Sequence, residues 1–383
     1  MNKIKIYTIG LFISALFISS CDEDLLTEIP KDFYTPENSF TNAQQFEAAL
    51  GSCYSVVRSY FLTNYPIDIK NGAYLLQGVE VDLFNSHAGE VPFDPTYNWS
   101  TFNADNGAVR FYWQNFYRGI IKSNEIIERA EEDVVNWNSE EEKNAIVAEA
   151  RFLRAYYYTF LANMWGGVPI VLTETTEAKF DYTRATQTEV YNQCVEDLLF
   201  ATTHMKTVDN IKGGRAPRAA AYHLLTQVYI QMGNYQEAIN AATQVIDDPN
   251  YQLMTERFGK LKDFKFQGYD YQGPHDEPWG DVYWDLFRDG NFNRIDGNME
   301  CIWNAQFEFG VEGGGDFDFL MEYALGGPRR SRQRDIDNVA NIRYQDTIGD
   351  LTVGFYLPTD YLRYQLWEYK GDWDNDIRNS KYN

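Results

Sequence analysis

The sequence predicts a mainly α protein: a scaffold of tetratricopeptide-like helical pairs, with long irregular loops and a few short strands. Three observations predict it. Apolar residues recur at three- and four-residue spacing in six separate stretches. Helix start signals of the type Ser/Thr-x-x-Glu/Gln stand before three of them, at Thr41/Gln44, Ser139/Glu142 and Thr186/Glu189. The stretch from Ala219 to Pro249 sets Leu225, Tyr229, Gly233, Tyr235, Ala238, Ala242 and Pro249 near the spacing of a tetratricopeptide repeat.

Taken in chain order, Lys3 and Lys5 precede an uncharged run from Ile6 to Ile18, the layout of an export signal. That run falls short of the roughly 20 apolar residues needed to span a bilayer. It ends in Ile18-Ser19-Ser20-Cys21, which looks like a bacterial lipobox. Residues 1–20 therefore read as a lipoprotein signal peptide, with Cys21 as the lipidated residue. Several palmitate-type acyl chains on one cysteine hold a protein to a membrane far better than one chain. Asp22-Glu23-Asp24 follows, a solvated acidic tether that also resembles the export signal of surface lipoproteins in Bacteroidetes-type bacteria.

Residues 21–383 read as one helical domain. The first helix, after Thr41, puts Phe46, Ala49, Leu50, Cys53, Tyr54 and Val57 on one face. A second runs from about Asn106 to Glu131, with Tyr112, Phe116, Ile120, Ser123, Ile127 and Ala130 in register. The third, capped by Ser139, carries two apolar stripes, Ile146/Ala150/Leu153/Tyr157/Phe160/Met164 and Ala148/Phe152/Ala155/Ala162. Two stripes imply burial between neighbours. It stops at Trp165-Gly166-Gly167-Val168-Pro169, a C-cap glycine followed by a proline. The fourth carries Tyr191, Cys194, Val195, Leu198 and Leu199. In the last pair Gly233 turns the chain, and Ala238 and Ala242 allow close approach. One such pair cannot stand alone, so the earlier helices must stack on it. Between Ser86 and Asn106, and from Phe258 to Gly297, helical spacing gives way to Gly, Pro, Asn, Asp and aromatics, which reads as long loops. Glu300 to Phe309 reads as a short strand.

Charge and motif content exclude several chemistries. With 33 Lys+Arg against 56 Asp+Glu, a net charge of −23, and no basic block beyond Arg329-Arg330-Ser331-Arg332, nucleic acid is not an expected partner. The four cysteines, Cys21, Cys53, Cys194 and Cys301, give neither a disulfide framework nor a Cys-x-x-Cys metal site. His87, His204, His223 and His275 show no metal-ligand spacing. Asp372/Asp374/Asp376 opens like a calcium loop, but Ile377 stands where that loop needs Gly and Asn383 where it needs Glu. Neither a nucleophile elbow nor a phosphate-cradling loop is present. No catalytic residue, metal or cofactor is expected, although a pair of glycosidase carboxylates cannot be recognised by spacing alone.

The positive signal is aromatic: 9 Trp, 28 Tyr and 25 Phe make up 16% of the chain. Phe93, Tyr97, Trp99 and Phe102 share one loop, and Tyr269, Tyr271, Trp279, Tyr283 and Trp284 share the other. A flat ring can stack on the C–H face of a pyranose while nearby Asp, Asn and Arg bind its hydroxyls. Each ring can equally anchor its own loop to the helices, and Trp165 and Trp303 read as core. Tyr97, Trp99, Trp279, Tyr283 and Trp284 are the candidate ligand-binding residues.

Tyr117–Ile127 (YRGIIKSNEII), Ala148–Ile170 (AEARFLRAYYYTFLANMWGGVPI), the Ala219–Pro249 repeat, Glu300–Phe307 and Asp376-x-Arg378 together resemble the SusD/RagB-type nutrient-binding outer-membrane lipoproteins of Bacteroidetes. The resemblance covers nearly the whole chain, and its most specific part is the third-helix motif. It implies a non-catalytic, lipid-anchored protein on the outer membrane, facing the cell exterior. Such a protein captures glycans, or sometimes peptides, for a SusC-like TonB-dependent transporter. Family members usually continue well past the Asp-x-Arg, so this chain is expected to be truncated at its C-terminus. Two other readings of the residues stay open: a peptide-gripping tetratricopeptide scaffold and a lipid-anchored glycoside hydrolase.

Overall fold

The computed structural model describes residues 39–63, 84–86, 107–175, 177–265, 278, 280–288, 290–307, 319–320, 356–358 and 361–366. Among them are seven α-helices: α1 (Ala43–Phe61), α2 (Gly107–Arg129), α3 (Glu140–Trp165), α4 (Gln187–His204), α5 (Arg218–Gln231), α6 (Tyr235–Ile246) and the short α7 (Val282–Leu286). Sequence neighbours pack side by side from α1 to α6, and α1 also reaches α3. Two minimal antiparallel ladders join distant segments. β1 (Leu62–Thr63) pairs with β3 (Phe319–Leu320), and β2 (Phe84–Ser86) pairs with β4 (Tyr356–Pro358).

Helix α1 begins one residue later than the Thr41/Gln44 signal suggests. Asn42 caps it, its Oδ1 accepting from Gln45 N at 3.2 Å, while Gln45 Oε1 accepts from Thr41 N at 2.6 Å. The shift has a tertiary cause: the Thr41 carbonyl is taken by Asn136 N at 2.9 Å, outside the helix. Phe46, Leu50, Cys53 and Val57 then face the core.

Helix α3 is buried on both faces over most of its length, but at its C-terminal end Phe160 is half-buried and Met164 is 39% exposed, a correction to the first stripe. Against it α2 presents Gly119, where a Cβ would lie 2.4 Å from the Tyr157 ring, so only glycine lets these helices meet. The Tyr157 hydroxyl donates to the Cys53 carbonyl at 2.7 Å, tying α1 into the same crossing. Buried tyrosines need such partners; Tyr158 likewise donates to Val171 O at 3.0 Å. At the helix end Gly166 takes φ +70°, and a Cβ on Gly167 would lie 1.9 Å from Ala185 O. Trp165 packs on Trp113 at 5.4 Å.

Thr186 and Glu189 form the reciprocal capping box that starts α4. Leu198 is buried but Leu199 is 50% exposed, a correction to its expected place on the buried face. One step along a helix turns the side chain by about 100°, and Leu198 already occupies the core direction. In the last pair Gly233 adopts φ +75°. Ala238 and Ala241 are the buried small residues of α6, with Ala242 only half-buried. The far side of α6 leaves Tyr235, Ile239 and Ile246 exposed.

Two ion networks cross this core. Arg154 on α3 holds Asp197 on α4 through both carboxylate oxygens, at 2.8 and 2.6 Å, and gives a third bond to Asn124 Oδ1 on α2 at 2.9 Å. Asn124 in turn donates to Val171 O and Thr173 O at 2.9 and 3.2 Å, fixing the segment after Pro169. Arg215 holds Glu149 at 2.6 and 2.7 Å and also pairs with Glu47. Tyr54 donates to the same Glu149 carboxylate at 2.8 Å. Burial pushes the Glu149 carboxyl up, and Arg215 opposes that shift.

The segment expected as a strand from Glu300 is not one over its described part, through Phe307. It has no partner strand there. Instead Trp303 anchors it on the helices, packing on Phe152 and Tyr156 at 5.4 and 5.7 Å and donating Nε1 to Gly214 O at 3.1 Å.

Candidate functional site: the aromatic loop after α6

Five candidate ligand-binding residues and the lipidation cysteine divide into two groups. Tyr97, Trp99, Trp279 and Cys21 lie outside the described residues; Tyr283 and Trp284 lie on α7. The chain around α7 has little regular structure, yet it is tightly specified. Asp281 caps α7, accepting from Trp284 N at 2.8 Å. Asp285, fully buried, is gripped by Arg257 at 2.6 and 3.0 Å and accepts from Phe258 N at 3.0 Å. Arg257 Nη1 also reaches Gly280 O at 2.8 Å. Asn291 donates to Asp285 O at 2.9 Å and accepts from Lys260 N at 3.2 Å. Asn298 donates to Asn291 O at 3.0 Å and accepts from Glu300 N and Cys301 N at 3.1 and 2.9 Å. Buried amide and carboxylate side chains thus satisfy backbone groups that a helix or sheet would otherwise pair.

This framework turns two neighbouring aromatics in different directions. Trp284 is 3% exposed. The guanidinium groups of Arg288 and Arg257 lie 4.8 and 5.7 Å from its ring, and Gly280, at φ +94°, leaves no room for a Cβ beside it. It is a pillar of the loop rather than an open stacking face, the fate expected when a large aromatic side chain anchors its own segment. Tyr283 is only half-buried and sets its ring 5.0 Å from Phe287 at 68°; Phe287 is 57% exposed. The outward aromatic edge of the described loop is therefore Tyr283 with Phe287, and Phe287 was not among the sequence candidates. The network residues Arg257, Asp285, Asn291 and Asn298 were missed too. The clustering of Asn and Asp between 291 and 298 was their visible signal, but polar clustering reads as loop, not as buried framework.

Chemically the site offers stacking edges and hydrogen-bonding groups. Both Asp285 carboxylate oxygens are taken up by Arg257, and one of them also by Phe258 N. Among the described residues no group of His, Cys, Asp or Glu could hold a metal ion. Burial raises the Cys53 thiol to about 11 and Cys194 to about 12, so neither is a nucleophile at neutral pH.

The described fold is thus a stack of helix pairs carrying a side-chain-braced aromatic loop. Residues 70–230 match the sequence model of the SusD-like family, described as starch-binding associating with outer membrane. A SusD-like protein of Formosa agariphila is 25% identical over 65% of this chain and 48% of its own length. Another, from Bacteroides ovatus, is 24% identical over 63% and 44%. Among solved structures, surface glycan-binding protein A from Bacteroides fluxus superposes with a TM-score of 0.58 at 19% identity, over 88% of this chain and 63% of that one. A SusD superfamily protein from Bacteroides vulgatus gives 0.51 at 23%, over 59% and 49%. The chain is thus similar to the SusD-like family across residues 70–230 and to SusD-like relatives over about two thirds of its own length. It spans about half the length of the curated relatives it matches.

Proposed function

We propose that this protein is a lipoprotein of the outer membrane that binds oligosaccharides at the cell exterior without cleaving them and passes them to a SusC-like TonB-dependent transporter. The observation that carries the binding reading is the Tyr283/Phe287 edge, held outward by the fully buried Asp285 paired with half-buried Arg257 within a SusD-like fold. A rigid platform loses little entropy when a flexible glycan settles on it. Tyr97, Trp99 and Trp279 are proposed to complete the face, and Cys21 to carry the lipid anchor. The match of residues 70–230 to a family whose description names starch binding and the outer membrane supports both parts.

Affinity electrophoresis through gels containing single polysaccharides tests the binding. Wild-type protein is expected to be retarded by at least one glycan, and the Tyr283→Ala/Phe287→Ala variant to run free in the same gel with an unchanged far-ultraviolet circular dichroism spectrum. Unaltered retardation of the variant would discard this edge. Shortened products after incubation would overturn the non-catalytic assignment.

A further inference from the structure

A second concavity lies away from the aromatic loop, where the last helix pair meets the chain on either side of it. Its volume is about 390 Å³, inside the range of roughly 300–1,000 Å³ usual for small-molecule sites. Thr207, Arg218, Tyr222, Gln244, Asp247 and Tyr251 are among its walls. Two of these are aromatic rings from different elements, Tyr222 on α5 and Tyr251 beyond α6.

Both the ring and the cation that face this space are fixed from behind. Tyr251 N donates to Asp248 O at 3.0 Å, and the Arg294 guanidinium sits 5.2 Å from the Tyr251 ring centroid. Arg294 belongs to the one-turn segment Arg294–Asp296, at whose start Asn293 N donates to Asp296 Oδ2 at 3.2 Å. Arg218 gives its Nε to Met205 O at 2.9 Å, which steadies the guanidinium at the wall. Gln244 and Asp247 are exposed at the rim. The wall therefore holds aromatic faces, an amide, hydroxyls, and charges of both signs, Arg218 on the one hand and Asp247 and Asp248 on the other. Such a lining suits neither a strongly anionic nor a strongly cationic ligand. It suits a neutral ring with polar edges and apolar faces.

We infer that this groove is a second carbohydrate site, accepting one or two neutral pyranose units, with Tyr222 and Tyr251 as stacking walls and Gln244 and Asp247 as hydroxyl partners. It rests on the glycan-binding reading for its ligand class but on none of the loop residues.

The test titrates maltose, cellobiose, laminaribiose and xylobiose into full-length protein, observed by ligand-detected saturation-transfer NMR. Three proteins are compared: wild type, Tyr283→Ala/Phe287→Ala, and that variant with Gln244→Ala/Asp247→Ala added. The two rim positions are exposed, so the fold is expected to survive. The loop variant is expected to keep a saccharide signal, and the rim substitutions to weaken that residual binding about tenfold or more. A residual signal unmoved by the rim substitutions overturns the groove. Loss of all signal in the loop variant overturns the groove while upholding the loop site. Silence from wild-type protein with all four disaccharides overturns the groove; retardation by a polysaccharide in the gel assay would then show the loop reading still standing.

Discussion

Replacing Arg154 by Met should destabilise the protein severely, whereas replacing Arg154 and Asp197 together should not. Arg154 and Asp197 are 4% and 0% exposed and share two hydrogen bonds of 2.8 and 2.6 Å. Removing one partner leaves a buried charge uncompensated, a loss of about 3–5 kcal/mol. The orphaned Asn124 Oδ1 adds about 1 kcal/mol. Arg151 Nη1, 3.9 Å from Asp197 Oδ1, recovers part of it, so the single variant should lose about 3–4 kcal/mol. That is a large share of a stability of about 5–15 kcal/mol. The Arg154→Met/Asp197→Leu pair removes both charges and should cost only about 1 kcal/mol, mainly from Asn124. Urea unfolding followed by tryptophan fluorescence gives both numbers from the midpoint at constant slope. A single variant no less stable than the double would refute the claim that an unpaired buried Asp197 is the source of the cost.

The buried thiols predict a pH dependence. Cys53 is raised from 9.0 to about 11 and Cys194 from 9.0 to about 12, chiefly by burial. Above pH 9 the unfolded chain loses these protons first, so stability should be intact below pH 9 and fall as pH rises toward 11. Urea midpoints across that range should drop for wild type and drop less for Cys53→Ala/Cys194→Ala; parallel slopes would contradict this. In native protein at pH 8, iodoacetamide should label Cys301, which is half-buried, well before the two fully buried cysteines. Glycine substitutions in two helices should act in opposite directions. Gly51→Ala on α1 has nothing within 4 Å of its Cβ and should stabilise by about 0.5–1 kcal/mol. Gly119→Ala meets the Tyr157 ring and should cost about 1–3 kcal/mol, read from melting curves. Thr186→Ala removes the capping box of α4 and should cost about 1 kcal/mol in the same measurement.

The helices were legible because their signals are local. Apolar spacing is the condition for burying one face, and the Ser139 and Thr186 caps complete hydrogen bonds within four residues of themselves. The glycine pair at 166–167 was legible as a stop for the same reason, although why Gly167 must be glycine depends on Ala185, far along the chain. Asn42 displaced Thr41 as the cap because Asn136, nearly a hundred residues on, claimed the Thr41 carbonyl. The expected strand at Glu300 dissolved because alternation alone cannot supply a partner strand. Within the candidate site, the sequence marked α7 as an aromatic region but could not tell Tyr283 from its neighbour Trp284.

By itself, then, the sequence determined a helical-pair scaffold, an aromatic-rich loop after α6 and the absence of recognisable catalytic or metal-binding spacing. Only the tertiary structure decided which ring faces outward. Asp285, paired with Arg257, sits beside a Trp284 buried against the Arg257 and Arg288 guanidinium groups, while Tyr283 is half-buried and Phe287 lies at the surface. The direction of a side chain on an irregular segment is set by the long-range bonds of its neighbours, and no local period encodes those.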